Sequence, residues 1–508
     1  MTPATPAKLG RAAAVAIPLL LLLSLVCWAF ASPVGSSPDD NFHLPSIWCG
    51  LGERAGICEP SGNPDTRMVP ASVVSAPCYA FESEESAACW NPHDSEMTEA
   101  TWMNAVGLYP PLFYTTMGFF VGDDVSTSVM AMRIANSAII VGLLTAVFFT
   151  LPRRIRPALL ISALGSSIPL GMFAIASTNP SSWAFAAATT IWVSLYGATQ
   201  TSGRRQWALS ALAVVSATIG AGARADAAAF AMFAIVIAAI LGIRRGRPLL
   251  APAVAAALVV AISVFFYLGA SQGGAVATGL PTDDPPLSAA QLIANLFGIP
   301  MLWAGAFGGM GLGWLDTPMP ATVWVLAGAV FCGAVFVGVD RLGARRGSAL
   351  LLSATALWIV PFVLLAQSNA VVGSIVQPRY LLPLIVILLG VASLSDRSVE
   401  AWRGSRSLIA GLALSIAMSL ALHYNIRRYT VGTDSNAIDP GADAEWWWTA
   451  APAPLAIWLI GSIAFTAVCV LLWLVLRKTD AGAVTRSDPP GAGPLPEDRE
   501  PIAYDTPR

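Results

Sequence analysis

The chain has 508 residues, of which 56% are hydrophobic and 11% charged, against roughly 25% charged in an ordinary soluble domain. Apolar runs of about 17 to 25 residues recur from end to end, each long enough to cross a ~30 Å hydrocarbon layer as a helix. A soluble globular protein is excluded, and an all-α, polytopic transmembrane helical bundle is expected. The formal net charge of -2 by itself argues neither for nor against nucleic acid, and no such partner is expected.

In chain order the spans are read at about 12–31, 128–150, 158–177, 183–202, 207–223, 227–243, 249–270, 320–339, 349–367, 381–395, 407–424 and 452–476, twelve in all. Cytoplasmic loops keep the positive charge that resists translocation. Lys8 and Arg11, Arg153/Arg154/Arg156, Arg204/Arg205, Arg244/Arg245/Arg247, Arg341/Arg345/Arg346, Arg397/Arg403/Arg406 and Arg477/Lys478 fall at every second loop. Both termini are therefore expected inside. On this topology the inside carries 21 basic and 9 acidic residues and the outside 7 basic and 21 acidic, so the few outer cations stand out. Among the 28 basic residues only Lys8 and Lys478 are lysine. With abundant alanine, this composition is associated with GC-rich bacterial coding, and a bacterial plasma membrane is the expected location. Ala29-Phe30-Ala31 before Ser32 resembles a signal-peptide cleavage site, but an apolar stretch of about 20 residues exceeds the usual signal core, so an uncleaved anchor is expected.

Residues 1–478 are read as the transmembrane domain, including a long first outer loop at 32–127, and 479–508 as a disordered cytoplasmic tail rich in Pro, Gly and charge. Two further apolar segments, 105–121 and 287–315, would break the arginine alternation if they crossed. Each is expected to lie at the interface or to re-enter under protein cover. Cys49, Cys58, Cys78 and Cys89 share the first outer loop. Two disulfides are expected there, with the local pairing, Cys49 with Cys58 and Cys78 with Cys89, chosen from three connectivities. A zinc site is the alternative, and neither pair has the two-residue spacing it favours. No motif asks for a cofactor, no metal ligands are assigned, and a divalent metal is the one addition left open.

The most informative cluster is Asp39-Asp40-Asn41-Phe42-His43, just beyond the outer end of the first span. A carboxylate partly shielded from water there has the raised basicity of a general base, and His43 would sit one helical turn on. The competing reading is a capped helix end with solvated acids. Arg379, in Gln377-Pro378-Arg379-Tyr380, is a rare outer cation, and a guanidinium binds phosphate in a bidentate way; interface snorkelling is its alternative. Trp314 and Asp316, in Gly313-Trp314-Leu315-Asp316, precede the eighth span as a substrate contact or an interface anchor. Arg427 and Arg428 depart from the positive-inside trend, which hints at an anionic headgroup or phosphate. Arg224 and Asp226 fill a tight turn, as a mutual ion pair or a substrate contact. Tyr109-Pro110-Pro111-Leu112-Phe113-Tyr114 and Trp446-Trp447-Trp448 are aromatic surfaces for a lipid chain, a sugar face or the aromatic belt.

Ser37-Pro38-Asp39-Asp40 with His43, YPPLFY, LGWLD and QPRYLLP together resemble a bacterial polytopic family, domain of unknown function 2142, over roughly residues 12–430. That family is in turn distantly similar to the glycosyltransferase C superfamily, with many spans, a long first outer loop and an acid or acid pair near its start. The resemblance implies a sugar taken from a polyprenyl-phosphate carrier, and Asp39 or Asp40 at the catalytic acid-pair position.

Two functions are weighed. The favoured one is an inverting glycosyltransferase building an envelope glycan or glycolipid on the outer face. Its partners would be a lipid-linked sugar donor, a glycan or lipid acceptor and membrane lipids. Asp40 or Asp39 would act as base, with His43, Arg379, Tyr380, Trp314, Asp316, Arg427 and Arg428 contacting substrate. The alternative is a secondary transporter or lipid flippase, since twelve spans with both termini inside also suit a carrier. Asp340 to Arg346 superficially resembles the acidic–basic loop of major facilitator carriers. However, Phe336 stands where their glycine belongs, Ala344 interrupts the basic pair, and the matching first-half loop lacks the motif.

Overall fold

The structure is a computed structural model describing residues 6–402 and 404–484. Its first half contains helices α1 (Pro6–Phe30), α2 (Asp40–Trp48), α3 (Ala71–Val74), α4 (Leu112–Gly118), α5 (Val125–Thr150), α6 (Arg156–Ser167), α7 (Leu170–Ile175), α8 (Ser181–Thr199), α9 (Gly203–Ala223) and α10 (Ala225–Gly242). The second half adds α11 (Leu250–Leu268), α12 (Gly273–Thr278), α13 (Ala289–Ala306), α14 (Ala321–Gly338), α15 (Ala344–Gln367), α16 (Leu382–Ala392), α17 (Asp396–Ala401), α18 (Ser405–Thr430) and α19 (Pro454–Val484). Among the described residues ten helices are long and apolar enough to cross a membrane. The chain is a polytopic helical membrane protein.

Local chemistry explains where the helices start. The Asp124 carboxylate accepts from the Thr127 amide at 2.6 Å and caps α5. Ser288 and Gln291 form a reciprocal capping box at α13. Proline at 18, 300 and 361 is accommodated inside α1, α13 and α15, as spanning helices allow where neighbours satisfy the freed carbonyls.

Nine of the twelve expected spans coincide with the ten apolar helices, and the other three differ in length, continuity or composition. The 158–177 stretch is interrupted at Ile168-Pro169, between α6 and α7, because proline lacks the amide a continuing helix needs. The 183–202 stretch is α8, buried at every residue but Tyr196. The 381–395 stretch is α16, preceded by a 3-10 turn at Pro378–Leu381 and buried throughout. α7, α8 and α16 are enclosed by protein and α6 is half-buried, so neither unbroken length nor uniform hydropathy is required of the enclosed ones. Their packing is close: a Cβ on Gly390 of α16 would lie 2.3 Å from the Trp192 ring of α8.

The tenth apolar helix is α13, inside the 287–315 segment expected to re-enter. Asn295 binds the backbone of Ala370 and Val372 at 2.8 and 3.0 Å, while Gly305 abuts Pro378. The helix is thus tied to the connector between α15 and α16, and to α15 itself, where Trp303 donates to Leu357 O and Trp358 to Leu296 O at 3.2 and 3.0 Å. At 105–121 only α4 is helical, and the chain lies across the ends of two helices. Leu112 fills against Gly222 of α9, and Gly107 and Leu108 accept from Ser271 and Gln272 beyond α11.

The 31–124 segment is a folded unit, and it qualifies the all-helical expectation. It holds a three-stranded antiparallel sheet, β1 (Glu59–Pro60), β2 (Arg67–Pro70) and β3 (Met97–Ala100), with Met68 opposite Glu59 and Glu99. Strands this short carry too little alternation to be read from sequence. Cys49 is bonded to Cys58 and Cys78 to Cys89, the expected local pairing. At the other end of the chain α19 continues to Val484, past residue 478; the rest of the expected tail, 485–508, lies outside the described residues.

After α1 the chain runs irregularly through the protein interior, with Ala31, Val34, Ser36 and Ser37 at most 1% exposed. Its carbonyls are satisfied almost entirely by side chains. Trp448 donates to Phe30, Asn425 to Ala31, Tyr79 to Val34, Trp314 to Gly35, Tyr429 to Ser36 and Asn179 to Pro38, at 2.5 to 3.5 Å. Arg133 of α5, fully buried, donates to the carbonyls of Ala29, Ser32 and Pro33 and to Ser36 Oγ. Each buried carbonyl left without a donor costs roughly 1–3 kcal/mol. Arg133→Met should therefore lower the thermal unfolding midpoint of the detergent-purified protein sharply, by an amount corresponding to about 3 kcal/mol or more. An unchanged midpoint would show that the irregular stretch does not depend on this guanidinium.

Candidate functional site

The irregular stretch delivers two neighbouring acids into different surroundings. Asp39 is the N-cap of α2 in a left-handed conformation, φ 63° and ψ 18°, which Asp and Asn tolerate better than other side chains but which still carries strain. Its carbonyl accepts the amides of Phe42 and His43 at 2.9 and 2.8 Å, which starts the helix. Its side chain is 37% exposed and pairs with Arg379. Asp40 is fully buried. One of its oxygens accepts the Ser37 amide at 3.1 Å and the other the Thr178 hydroxyl at 3.0 Å.

Three elements converge on Asp39. Arg379 comes from the 3-10 turn before α16, and its side chain is 4% exposed. Its Nη2 serves Asp39, with Tyr380 Oη at 3.5 Å, while Nε and Nη1 are buried without a partner. Arg224 occupies the extended residue between α9 and α10. It grips Asp226 in a bidentate pair at 2.9 and 2.7 Å and donates to Ser181 Oγ at 3.2 Å. The guanidiniums of Arg224 and Arg379 lie 5.3 and 5.2 Å from the Tyr380 ring centre, and Arg224 also lies 5.7 Å from that of Tyr109. His43 completes the group. It is buried, stacks on Tyr114 at 6.0 Å between ring centres, and bonds the Tyr114 hydroxyl through Nδ1 at 2.9 Å. Its Nε2 has no partner.

The electrostatics separate the two carboxylates. Burial works against ionising Asp39, but Arg379, His43 and Arg224 together hold it below the usual carboxylate range. Burial dominates at Asp40 and pushes its pKa up to about 7, against the pull of Arg133, Thr178 and the Ser37 amide. Burial and the two nearby arginines push His43 down to about 3 against the pull of Asp39, so it is neutral near pH 7.

The site therefore joins Asp39, Arg379, Tyr380 and His43, all singled out in the sequence, with Arg224, Asp226, Tyr109 and Tyr114. The other candidates lie apart from this cluster, in contacts within the fold. Asp316 pairs with Arg428 at 2.9 Å, and both are buried. Arg428 also donates to the carbonyls of Tyr79, Glu82 and Glu85. Arg427 is bound to Ala442 O and Ser435. Trp314 caps Gly35, as above. Gly313 requires both its positive φ of 60° and its missing Cβ, which would stand 2.6 Å from Tyr429 Oη. Arg133, which supports the irregular stretch, is not among the sequence candidates; an arginine inside an otherwise apolar helix is the signal that marks it. Among the described residues no three His, Cys, Asp or Glu side chains gather to hold a metal ion. A cleft of about 500 Å³ opens beside the Cys49–Cys58 disulfide, and of the cluster only Tyr114 lines it.

The chain matches the predicted membrane protein family DUF2142 over residues 22–388 and belongs to it. The matched region contains the whole Asp39 cluster and stops short of Arg427 and Arg428. No curated protein and no solved structure matches.

The elevated Asp40 has a consequence for stability. Between pH 3.8 and about 7 the folded state retains a proton that the unfolded chain has lost, so this group's contribution is full below pH 3.8 and declines as pH rises through 7. The pH dependence of the unfolding midpoint should therefore differ between wild type and Asp40→Asn in that window, with wild type losing stability relative to the variant as pH rises. Parallel curves would contradict the assignment.

Proposed function

We propose that this member of the family is an integral-membrane glycosyltransferase of the plasma membrane. It would use a sugar linked to polyprenyl phosphate, on the outer face, to build an envelope glycan or glycolipid. The observation that carries this reading is a carboxylate at the end of the first span, over a third exposed, against a buried guanidinium with two unpartnered N–H donors. A buried donor without an acceptor is costly, and an anionic phosphate oxygen would satisfy it with a charge-assisted hydrogen bond. The arginine alternation supports the orientation. It puts the Asp39 end of the bundle outside with both termini inside, and treats α13 as a helix that does not cross. The distant resemblance to the glycosyltransferase C superfamily supplies the reaction class.

Asp39 rather than Asp40 is the base in this mechanism. Asp40 is sealed from solvent and both its oxygens are occupied. In transfer, the acceptor hydroxyl oxygen bonds to the anomeric carbon while the bond from that carbon to the phosphate oxygen breaks. The hydroxyl proton passes to the Asp39 carboxylate. The polyprenyl phosphate leaves with the bonding pair, its charge met by Arg379 and by the field of Arg224. Paired with Arg379, Asp39 is a weak base. Phosphate competing for that guanidinium loosens the pair and raises the basicity of Asp39 in the complex that needs it. His43, neutral, offers a hydrogen-bonding nitrogen and Tyr109 an aromatic face to the sugar.

Asp39→Asn is the sharpest test, because asparagine tolerates the left-handed turn and nearly preserves volume. Transfer from a polyprenyl-phosphate sugar should fall by roughly 10²- to 10⁴-fold, with expression and unfolding midpoint retained. Arg379→Gln should raise KM for the donor. Wild-type turnover in Asp39→Asn would refute the mechanism, and a wild-type protein that consumes no such donor would redirect attention to substrate transport.

A further inference from the structure

A second group of charges gathers at the opposite end of α5. Arg133 meets the irregular stretch near the start of that helix, and at about 1.5 Å per residue its last residues lie roughly 25 Å further on. There Arg156 donates Nε to Leu151 O at 3.0 Å and Nη2 to Phe149 O at 2.8 Å. Arg205 of α9 donates Nε to Thr150 O at 2.8 Å and Nη2 to Leu151 O at 3.5 Å. Two guanidiniums from different helices thus converge on three consecutive carbonyls, and Arg153, Arg154 and Arg204, all exposed, flank them. Among the described residues no carboxylate forms an ion pair with any of the five. Besides burial, Arg205 and Arg153 lie close enough to Arg156 to loosen its proton.

Helix polarity accounts for only part of this. The carbonyl end of α5 attracts Arg156 and Arg205, but Arg204 and Arg205 also occupy the first turn of α9, where the dipole disfavours cations. The surplus of like charge calls for an anion. Phe149 and Trp207 are 43% and 52% exposed beside it, and the Arg156 guanidinium lies 5.0 Å from the Phe148 ring centre. Exposed aromatic and cationic side chains side by side suit the boundary between headgroups and acyl chains. We propose that these five arginines bind the phosphate of an anionic lipid headgroup, with Phe149 and Trp207 against its acyl chains. The site is separate from the Asp39 cluster and does not depend on the transferase reading.

Native mass spectrometry of the full-length protein in detergent, given equimolar phosphatidylglycerol and phosphatidylcholine with identical acyl chains, reads the preference directly. Wild type should retain phosphatidylglycerol selectively. Arg156→Gln with Arg205→Gln should reduce that selectivity roughly tenfold or more, whereas Arg244→Gln with Arg245→Gln, the same charge change elsewhere, should leave it within about twofold. Excess inorganic phosphate should not release the bound lipid, because the acyl contacts are not replaced. Equal retention of both lipids by wild type would overturn the proposal, as would unchanged selectivity in the first variant, equal loss in the second, or displacement by inorganic phosphate. The wild-type and phosphate measurements need no variant to fold.

Discussion

A chain that leaves its helix inside a low-dielectric interior must find a donor for every carbonyl it uncovers. Residues 29–38 meet that requirement almost wholly from outside the segment. Arg133, Tyr79, Asn179, Trp314, Asn425, Tyr429 and Trp448 each approach one part of it. These donors come from α5, the disulfide-bonded 31–124 unit, the α7–α8 connector, the loop before α14, α18 and the loop before α19. Helices distant in sequence are therefore tied to one short segment. The two disulfides fit the same scheme, since the Cys78–Cys89 bridge encloses neighbours of Tyr79, whose hydroxyl caps Val34, and Tyr79 O receives Arg428.

The segment ends in a single left-handed residue that separates two adjacent carboxylates. Asp40 turns inward and holds the turn through Ser37 and Thr178. Asp39 pairs with Arg379. Two acids one residue apart acquire opposite protonation tendencies because one is surrounded by protein and the other faces a guanidinium. This difference is the physical basis on which we propose chemistry for Asp39 and architecture for Asp40.

Much of this was legible in the sequence, and the failures have physical causes. Hydropathy located the helices that are long and apolar enough to cross a membrane, since a hydrocarbon layer demands length and apolarity. The stretches at α6–α7, α8 and α16 are shorter, broken or less uniformly apolar, and α8 and α16 are enclosed by protein along nearly their whole length. Cysteine spacing within one loop anticipated both bridges. Arg379 stood out as a cation where cations are scarce. What could not be read was which of Asp39 and Asp40 would be exposed, because that depends on one φ angle. Nor could sequence separate Arg379 from Arg427 and Arg428, which share its chemistry but meet backbone carbonyls and Asp316 instead of an accessible carboxylate. The Arg224–Asp226 pair was visible as a local ion pair; its approach to Tyr380, some 150 residues away in the sequence, required the fold.

In the proposed mechanism Asp39 holds one nitrogen of Arg379 and competes for its charge with a lipid phosphate at the other two. Equilibrium binding of a sugar-free polyprenyl phosphate, compared with the uncharged polyprenol, tests this without any turnover. If the account is right, wild type prefers the phosphate, and Asp39→Asn, with the competing carboxylate removed, binds it more tightly than wild type. A variant that binds the phosphate no better than wild type, or more weakly, would contradict the claim that the two anions share one guanidinium.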